Sequence, residues 1–377
     1  MLLPSMGHAL SLTRAEMGWI STANFVGYLA AVSLAGRMVA RLGARRTIVV
    51  GLLLVGVSMA LIARAEGFVS VAALYVLTGY GSGAANVPVI VLLTYWFDRS
   101  ARGRAAGVVL MGAGAAIIAS GWLVPAMNRQ YGVAGWRGSW LVMAACVLLA
   151  ALVGSLVLRN HPAEVGLAAL GATAPSRAPV RRATTPVSRA RILAHLGALY
   201  AAFGFTYVIY ATFIVTALVQ ERGFPESTAG WFWSLIGLLS LASGPVFGGL
   251  SDRLGRSHGM MLVFGFQASA YALVALPLPP IFLWLSIVLF GLAMWSIPSI
   301  MAAAVGDYLG PEQTATAFGK ITVAFALGQI LGPTLAGRLA EGGSGFAGSF
   351  AMASAIAALG VVGAACLPQP PRTPSSH

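Results

Sequence analysis

The sequence predicts an all-α membrane protein built as two pseudo-symmetric helical bundles. Three observations carry that prediction: the composition, the regular punctuation of long apolar stretches, and an internal repeat at constant spacing. Of 377 residues, 58% are hydrophobic and 9% charged, with a mean hydropathy of +0.84. A soluble domain is about a quarter charged, so an ordinary water-soluble enzyme is excluded. A disordered chain, which would be charge-rich and poor in aromatics, is excluded as well.

A helix needs about 20 predominantly apolar residues to cross the hydrocarbon core. Broken at charged or Gly/Pro-rich punctuation, the chain gives such stretches at 17–40, 47–65, 69–97, 105–127 and 137–158. A polar interval follows, and further stretches lie at 193–220, 228–250, 259–277, 281–305, 314–338 and 348–366. The expectation is eleven full spans plus a stub, Met1 to Met6. The organisation expected is an N-terminal bundle 1–158, a linker 159–192, a C-terminal bundle 193–366 and a tail 367–377.

Charge orients these spans. The net charge of +13 would suggest nucleic acid in a soluble protein, but here it follows topology. With the Arg41–Arg46 loop placed in the cytoplasm, 17 of the 23 basic residues fall inside. That is the asymmetry of the positive-inside rule, which counts Lys and Arg rather than net charge. The linker and the C-terminus are therefore expected to be cytoplasmic, in a multi-pass protein of the cell (inner) membrane. The expected partners are the bilayer and a small molecule, with no nucleic acid and a monomeric state. Eight of the nine tryptophans fall near predicted span ends, as in interfacial belts, and Trp295 alone falls near the middle of one. Cys146 and Cys366 lie in apolar runs of opposite halves and form no metal motif or disulfide framework.

The halves align at a shift of 212. Gly36-Arg37-Met38-Val39-Ala40-Arg41-Leu42-Gly43 falls on Gly248-Gly249-Leu250-Ser251-Asp252-Arg253-Leu254-Gly255, and Gly79 falls on Gly291. Parallel repeats of this kind pair two bundles around a central cavity. Residue 1 then corresponds to residue 213, inside the span 193–220, so the first half lacks most of one helix. A start codon placed too late is the preferred reading, over a genuine eleven-span protein.

At these residues the chain resembles the major facilitator superfamily. Gly248-Gly249-Leu250-Ser251-Asp252-Arg253-Leu254-Gly255-Arg256 fits the family's loop motif between the second and third helices of a bundle. The resemblance implies alternating access, with Gly36, Arg41, Gly43, Gly248, Asp252, Arg253, Gly255 and Arg256 as conformational-motif residues. In the first-half copy Ala40 replaces the acid that helps close the cytoplasmic side, and a lock through Asp252 and Arg253 is left to the second half. Tyr95-Trp96-Phe97-Asp98 with Arg102-Gly103, and Pro162-Ala163-Glu164-Val165-Gly166-Leu167, are similar to bacterial relatives of the monocarboxylate and oxalate/formate transporters.

Alternating access needs a polar site near the midplane. All ten acids sit in loops or at span ends, so a carboxylate proton relay is disfavoured unless the missing helix supplies one. The cavity candidates are Asn24, Tyr28, Asn86, Tyr207, Tyr210, Trp295, Lys320 and Gln329. Tyr200, Phe203, Tyr207 and Tyr210 recur at helical spacing, so they share one face; cavity lining and helix packing both fit. Asn24, Tyr28, Asn86 and Gln329 either face a cavity or bond between helices. Lys320, the lone lysine, either attracts an anion or snorkels to the inner surface. Trp295 with Ser296 and Pro298 forms either a gate or a tolerated kink. Gly328 and Gly332 make a GxxxG contact. The five histidines form no metal-ligand spacing, and no G-x-x-x-x-G-K-[ST] loop exists.

The resulting expectation is a secondary transporter of a small organic solute, with a carboxylate as the sharper version, no cofactor and no enzymatic activity. Efflux of amphipathic drugs is the alternative, and a non-transporting membrane sensor or scaffold stands behind it.

Overall fold

The computed structural model describes residues 1–97, 99–170, 189–309, 311–343 and 345–368, with the side chains of 94, 99–104, 106, 107, 110 and 311–316 left out. Asp98, the Arg102 and Arg104 side chains, the basic residues of the linker between 177 and 182, and Arg372 therefore lie outside the described residues. Among those described there is no strand, only an isolated bridge between Phe97 and Leu170.

The helices are α1 (Leu3–Ala9), α2 (Arg14–Ile62), α3 (Phe68–Trp96), α4 (Arg99–Tyr131), α5 (Gly135–Val157) and α6 (Arg189–Thr216). After them come α7 (Glu226–Leu254), α8 (Arg256–Ala275), α9 (Ile281–Ala293), α10 (Ser296–Leu309), α11 (Pro311–Glu341) and α12 (Phe346–Ala365). Among the described residues, nine continuous helical stretches are long and apolar enough to cross a membrane. Two of them, Arg14–Ile62 with 49 residues and Met111–Val157 with 47, are double length. At 1.5 Å per residue, either would exceed a hydrocarbon core of about 30 Å by roughly twofold. Each is therefore two crossings, and the eleven expected spans are accounted for, with α1 at the stub.

Local chemistry sets the breaks. Helix α2 starts on a capping box: Thr13 Oγ1 accepts from the Glu16 amide (3.1 Å), and the Glu16 carboxylate accepts from the Thr13 amide (2.8 Å). It kinks at Gly43, whose φ of 78° and ψ of 160° form a conformation open essentially only to glycine. In the second half Gly255 takes φ 92° and ψ 152° at the repeat-equivalent position and separates α7 from α8. His258, one residue before the expected span 259–277, lies in the first turn of α8, because the helix restarts directly after that glycine.

The chain divides into two compact units. The first is Met1–Ser176 with Leu218–Trp231, and the second is Arg177–Ala217 with Phe232–His377. Within the first, α2 and α3 pack at backbone contact: a Cβ on Gly79 would lie 1.9 Å from the Asn24 carbonyl oxygen. Within the second, the equivalent Gly291 faces Ile236 and Leu239 of α7, with the Leu239 Cβ 3.0 Å from where its own Cβ would be. Small residues permit such approach where lipid offers no hydrophobic drive for helix association.

Candidate functional site

In the second unit, α6 and α11 cross at two glycines. A Cβ on Gly328 would lie 2.2 Å from the Ala201 carbonyl oxygen, and one on Gly332 would lie 2.6 Å from that of Phe205. This close crossing carries the facing side chains into one another. Phe325 of α11 stacks on Tyr200 with ring centroids 4.5 Å apart, and reaches Phe203 at 5.8 Å and Tyr207 at 5.9 Å. Gln329, one turn on from Phe325, donates from Nε2 to the Tyr207 hydroxyl at 2.7 Å. Tyr207 and Gln329 are both buried, and both sit near the middle of their spans. The Trp295 ring lies 6.1 Å from that of Tyr207.

Trp295 occupies a break in the chain. The span expected as one helix over 281–305 is two, α9 and α10, with Met294 and Trp295 between them. Pro298 has no N–H to offer the Met294 carbonyl four residues back, and the broken segment is held by α7. Ser243 Oγ accepts from the Trp295 amide (3.0 Å) and shares a hydrogen bond with Ser296 Oγ (2.8 Å). The Ser296 hydroxyl also lies within reach of the Ser243 carbonyl at 3.2 Å. Non-helical backbone at membrane depth requires such partners. The indole Nε1 is buried and has no acceptor among the described residues.

Three sequence candidates, Tyr207, Trp295 and Gln329, are thus brought together. Tyr210 is not with them: it is fully buried, stacks on Phe290 at 4.1 Å, and shares a hydrogen bond with Ser286 Oγ at 2.7 Å. That places it in the packing of α6 against α8 and α9. Lys320 is exposed and sits nine residues before Gln329, which at 100° per residue is the opposite face of α11; Val323, Leu327 and Leu331 are its exposed neighbours there. His195, at the start of the expected span 193–220, bonds through Nε2 to the Gly363 carbonyl at 2.8 Å.

The first-unit candidates are arranged differently. Asn24 Nδ2 donates to the Tyr75 carbonyl at 3.3 Å, so this amide ties α2 to α3. Tyr28 is half-buried beside the Gly83 approach, and Asn86 is exposed. A cavity of about 640 Å³ in the same unit lies elsewhere, among Ser5, His8, Asn128, Arg129, Gln220 and Glu226. Its acid is engaged: Asn128 Nδ2 donates to Glu226 at 2.6 Å and to Ser5 Oγ at 2.7 Å, and Ser5 Oγ donates to Glu226 at 3.2 Å. Among the described residues no cluster of His, Cys, Asp and Glu has metal-binding geometry.

The motif residues form a network in the second unit. Arg256 donates to Asp252, to Ser251 Oγ (2.9 Å) and to Asp307 (2.6 Å). Gly248 lets α7 approach Ser299 of α10, whose Oγ is 3.0 Å from where a Cβ would be, while Arg253 is exposed. In the first unit Gly36 and Arg41 are exposed on α2. Sequence reasoning missed Phe325, Ser243 and Asp307. Phe325 carried a signal, since it sits four residues before Gln329 on the same face. Ser243 and Asp307 carried none, because their partners are about 50 residues away.

Known proteins are similar to this chain over most of its length. The human protein named monocarboxylate transporter 2 is 24% identical, covering 87% of this chain and 72% of its own. A protein of Escherichia coli named 3-(3-hydroxy-phenyl)propionate transporter is 27% identical over 92% of this chain and 83% of its own. A probable sulfoacetate transporter of Cupriavidus necator is 24% identical, covering 95% and 86%. The solved structure of the nucleoside transporter NupG superposes with a TM-score of 0.73 at 15% identity, covering 97% of this chain and 94% of that one. The family model described as Major Facilitator Superfamily matches residues 1–295 and 196–377. A chain with two repeated bundles, the glycine turn at the same place in each and this match throughout belongs to the major facilitator superfamily of secondary membrane transporters.

Proposed function

We propose that the protein carries a small organic acid across the membrane by alternating access, and that Tyr207, Gln329 and Trp295 belong to its substrate site. The observation that carries this reading is the Gln329–Tyr207 hydrogen bond, set mid-span against a wall of aromatic rings. Buried polar groups in a membrane helix are costly, and they mark solute pathways where they line one. Neutral donors beside flat rings suit an oxygen-bearing solute with an apolar body. The three relatives named above are each named for an organic acid, which favours the same class. Lys320, on the other face of α11, is left out of the contact set, as is Tyr210.

The rest of the proposal follows from charge and repeat. The protein sits in the inner membrane as a monomer, with the 159–192 linker and the 367–377 tail in the cytoplasm, and it binds no nucleic acid and catalyses no reaction. Residues 1–158 and 193–366 act as the two moving bundles. Gly36, Arg41, Gly43, Gly248, Asp252, Arg253, Gly255 and Arg256 are the turn residues about which each bundle is braced.

The test is uptake into proteoliposomes of labelled lactate, sulfoacetate and 3-(3-hydroxyphenyl)propionate. Saturable uptake of at least one acid, absent from empty vesicles, is expected. The aromatic wall favours efflux of amphipathic compounds as a second reading. Saturable transport of ethidium with no uptake of any of the three acids would decide for it.

A further inference from the structure

The α9–α10 break does two things at once. It interrupts a membrane helix at a place where interruption must be compensated, and it leaves a buried indole N–H with no acceptor among the described residues. The compensation is complete on the backbone side: the Trp295 amide is taken by Ser243 Oγ, and Ser243 is itself joined to Ser296. Ser243 and Ser296 are both fully buried. The side-chain N–H is therefore held in place by a clasp that does nothing for the N–H itself.

An indole N–H donates and cannot accept, and a buried donor without an acceptor is a standing cost to the fold. The second unit contains other unpartnered polar atoms, on Gln267, Tyr271 and Thr216. Those residues are fully buried in the packing of their helices. Trp295 differs in two respects. The residue is only partly buried, and its ring borders the Gln329–Tyr207 pair.

We propose that the Trp295 Nε1–H recognises an acceptor oxygen of the transported solute, the carboxylate of an organic acid, and that Ser243 is the positioning residue that aims it. This rests on the organic-acid reading above and adds the group that binds the acid. A neutral donor held by a preformed clasp contributes to affinity without an ordering cost at binding. It also accounts for carboxylate recognition with no cationic side chain in the group formed by Tyr207, Gln329 and Trp295.

The test uses the full chain in proteoliposomes with the same three labelled acids, together with thermal melting in detergent. For any acid the wild type takes up, Trp295→Phe should raise KM about 10- to 100-fold, the range for losing a hydrogen bond to a charged group. The same variant should stay folded without substrate, with any drop in melting point limited to the packing lost by the smaller ring, since the N–H it loses is unpaired at rest. Trp295→His keeps a ring N–H and should retain more affinity than the Phe variant. Ser243→Ala should raise KM by less, and adding it to Trp295→Phe should raise KM no further. An unchanged KM in Trp295→Phe for an acid that the wild type carries overturns the proposal. If the wild type takes up none of the three acids, the organic-acid reading fails and this inference falls with it.

Discussion

The two halves solve the same turn with different chemistry. At the glycine turn both adopt the same backbone, with φ of 78° at Gly43 and 92° at Gly255. Both also anchor the turn to the last helix of their unit. Arg45 bonds through its guanidinium to the Ser155 carbonyl, and the equivalent Ser257 bonds to the Ala364 carbonyl at 2.7 Å. Trp96 donates to the Arg159 carbonyl at 3.1 Å, and its counterpart Tyr308 donates to the Pro368 carbonyl. The ion network of the second half, however, has no counterpart at the equivalent positions of the first. Where Arg256 joins Asp252 and Asp307, the first half has Ala44, Ala40 and Tyr95. Ala44 is buried with Ile48 and Leu92 in an apolar cluster, and Tyr95 faces the ring of His161 at 4.4 Å. The lesson is that glycine geometry and the aromatic anchor define the turn, and the ion network is an addition to one copy.

The helix crossings test that lesson most severely. A Cβ on Gly79 would meet backbone, the Asn24 oxygen at 1.9 Å, whereas one on Gly291 would meet the Leu239 side chain at 3.0 Å. An approach of 1.9 Å to backbone cannot be relieved without moving a helix, whereas a contact at 3.0 Å asks its neighbour to give by only a few tenths of an ångström. Gly79→Ala should therefore cost about 3 kcal/mol or more, at or beyond the top of the usual range for overpacking, and Gly291→Ala about 1 kcal/mol. Unfolding titrations in mixed micelles measure both. Equal losses would mean that the two crossings are as similar in tolerance as they are in sequence position.

A smaller effect is expected from the charges. Arg256→Ala strands Asp252 and Asp307, but these side chains are 61% and 43% exposed, so solvent screens most of the loss. About 1 kcal/mol is expected, shrinking at high salt. The triple variant Asp252→Ala, Arg256→Ala, Asp307→Tyr copies the first half and leaves no stranded charge. It should melt above Arg256→Ala alone. If it melts below, the ion network stabilises the second turn in a way the first half does not share, and the comparison fails at that point.

Much of the fold was legible because the features that determine it are periodic. The 212-residue shift located both glycine turns and both close crossings. The site was less legible because its partners come from distant turns of different helices. The aromatic face of α6 was visible at i, i+3 and i+7, but whether Tyr207 and Tyr210 act together depends on what packs there. Phe325 and Gln329 take the first, and Phe290 and Ser286 take the second. Pro298 announced a break near Trp295, while the serine that holds the break lies 52 residues away. Lys320 and Gln329 were readable from spacing as opposite faces of one helix, so here the sequence contained more than was taken from it.

The smallest effect separates the halves at the level of the site. Asn24 occupies the position that Ile236 occupies in the second half, each beneath a glycine of the facing helix. Its amide reaches the Tyr75 carbonyl at 3.3 Å, at the long end for a hydrogen bond. Interhelical bonds of this kind average about 0.6 kcal/mol in membrane proteins. Asn24→Ile therefore makes the first half copy the second at the cost of one weak bond and leaves the Gly79 crossing intact, because that crossing is made by the Asn24 backbone. The expected result is a stability loss of about 0.6 kcal/mol and an unchanged KM for whichever acid is carried. A tenfold rise in KM with stability preserved would move Asn24 from helix packing into substrate contact.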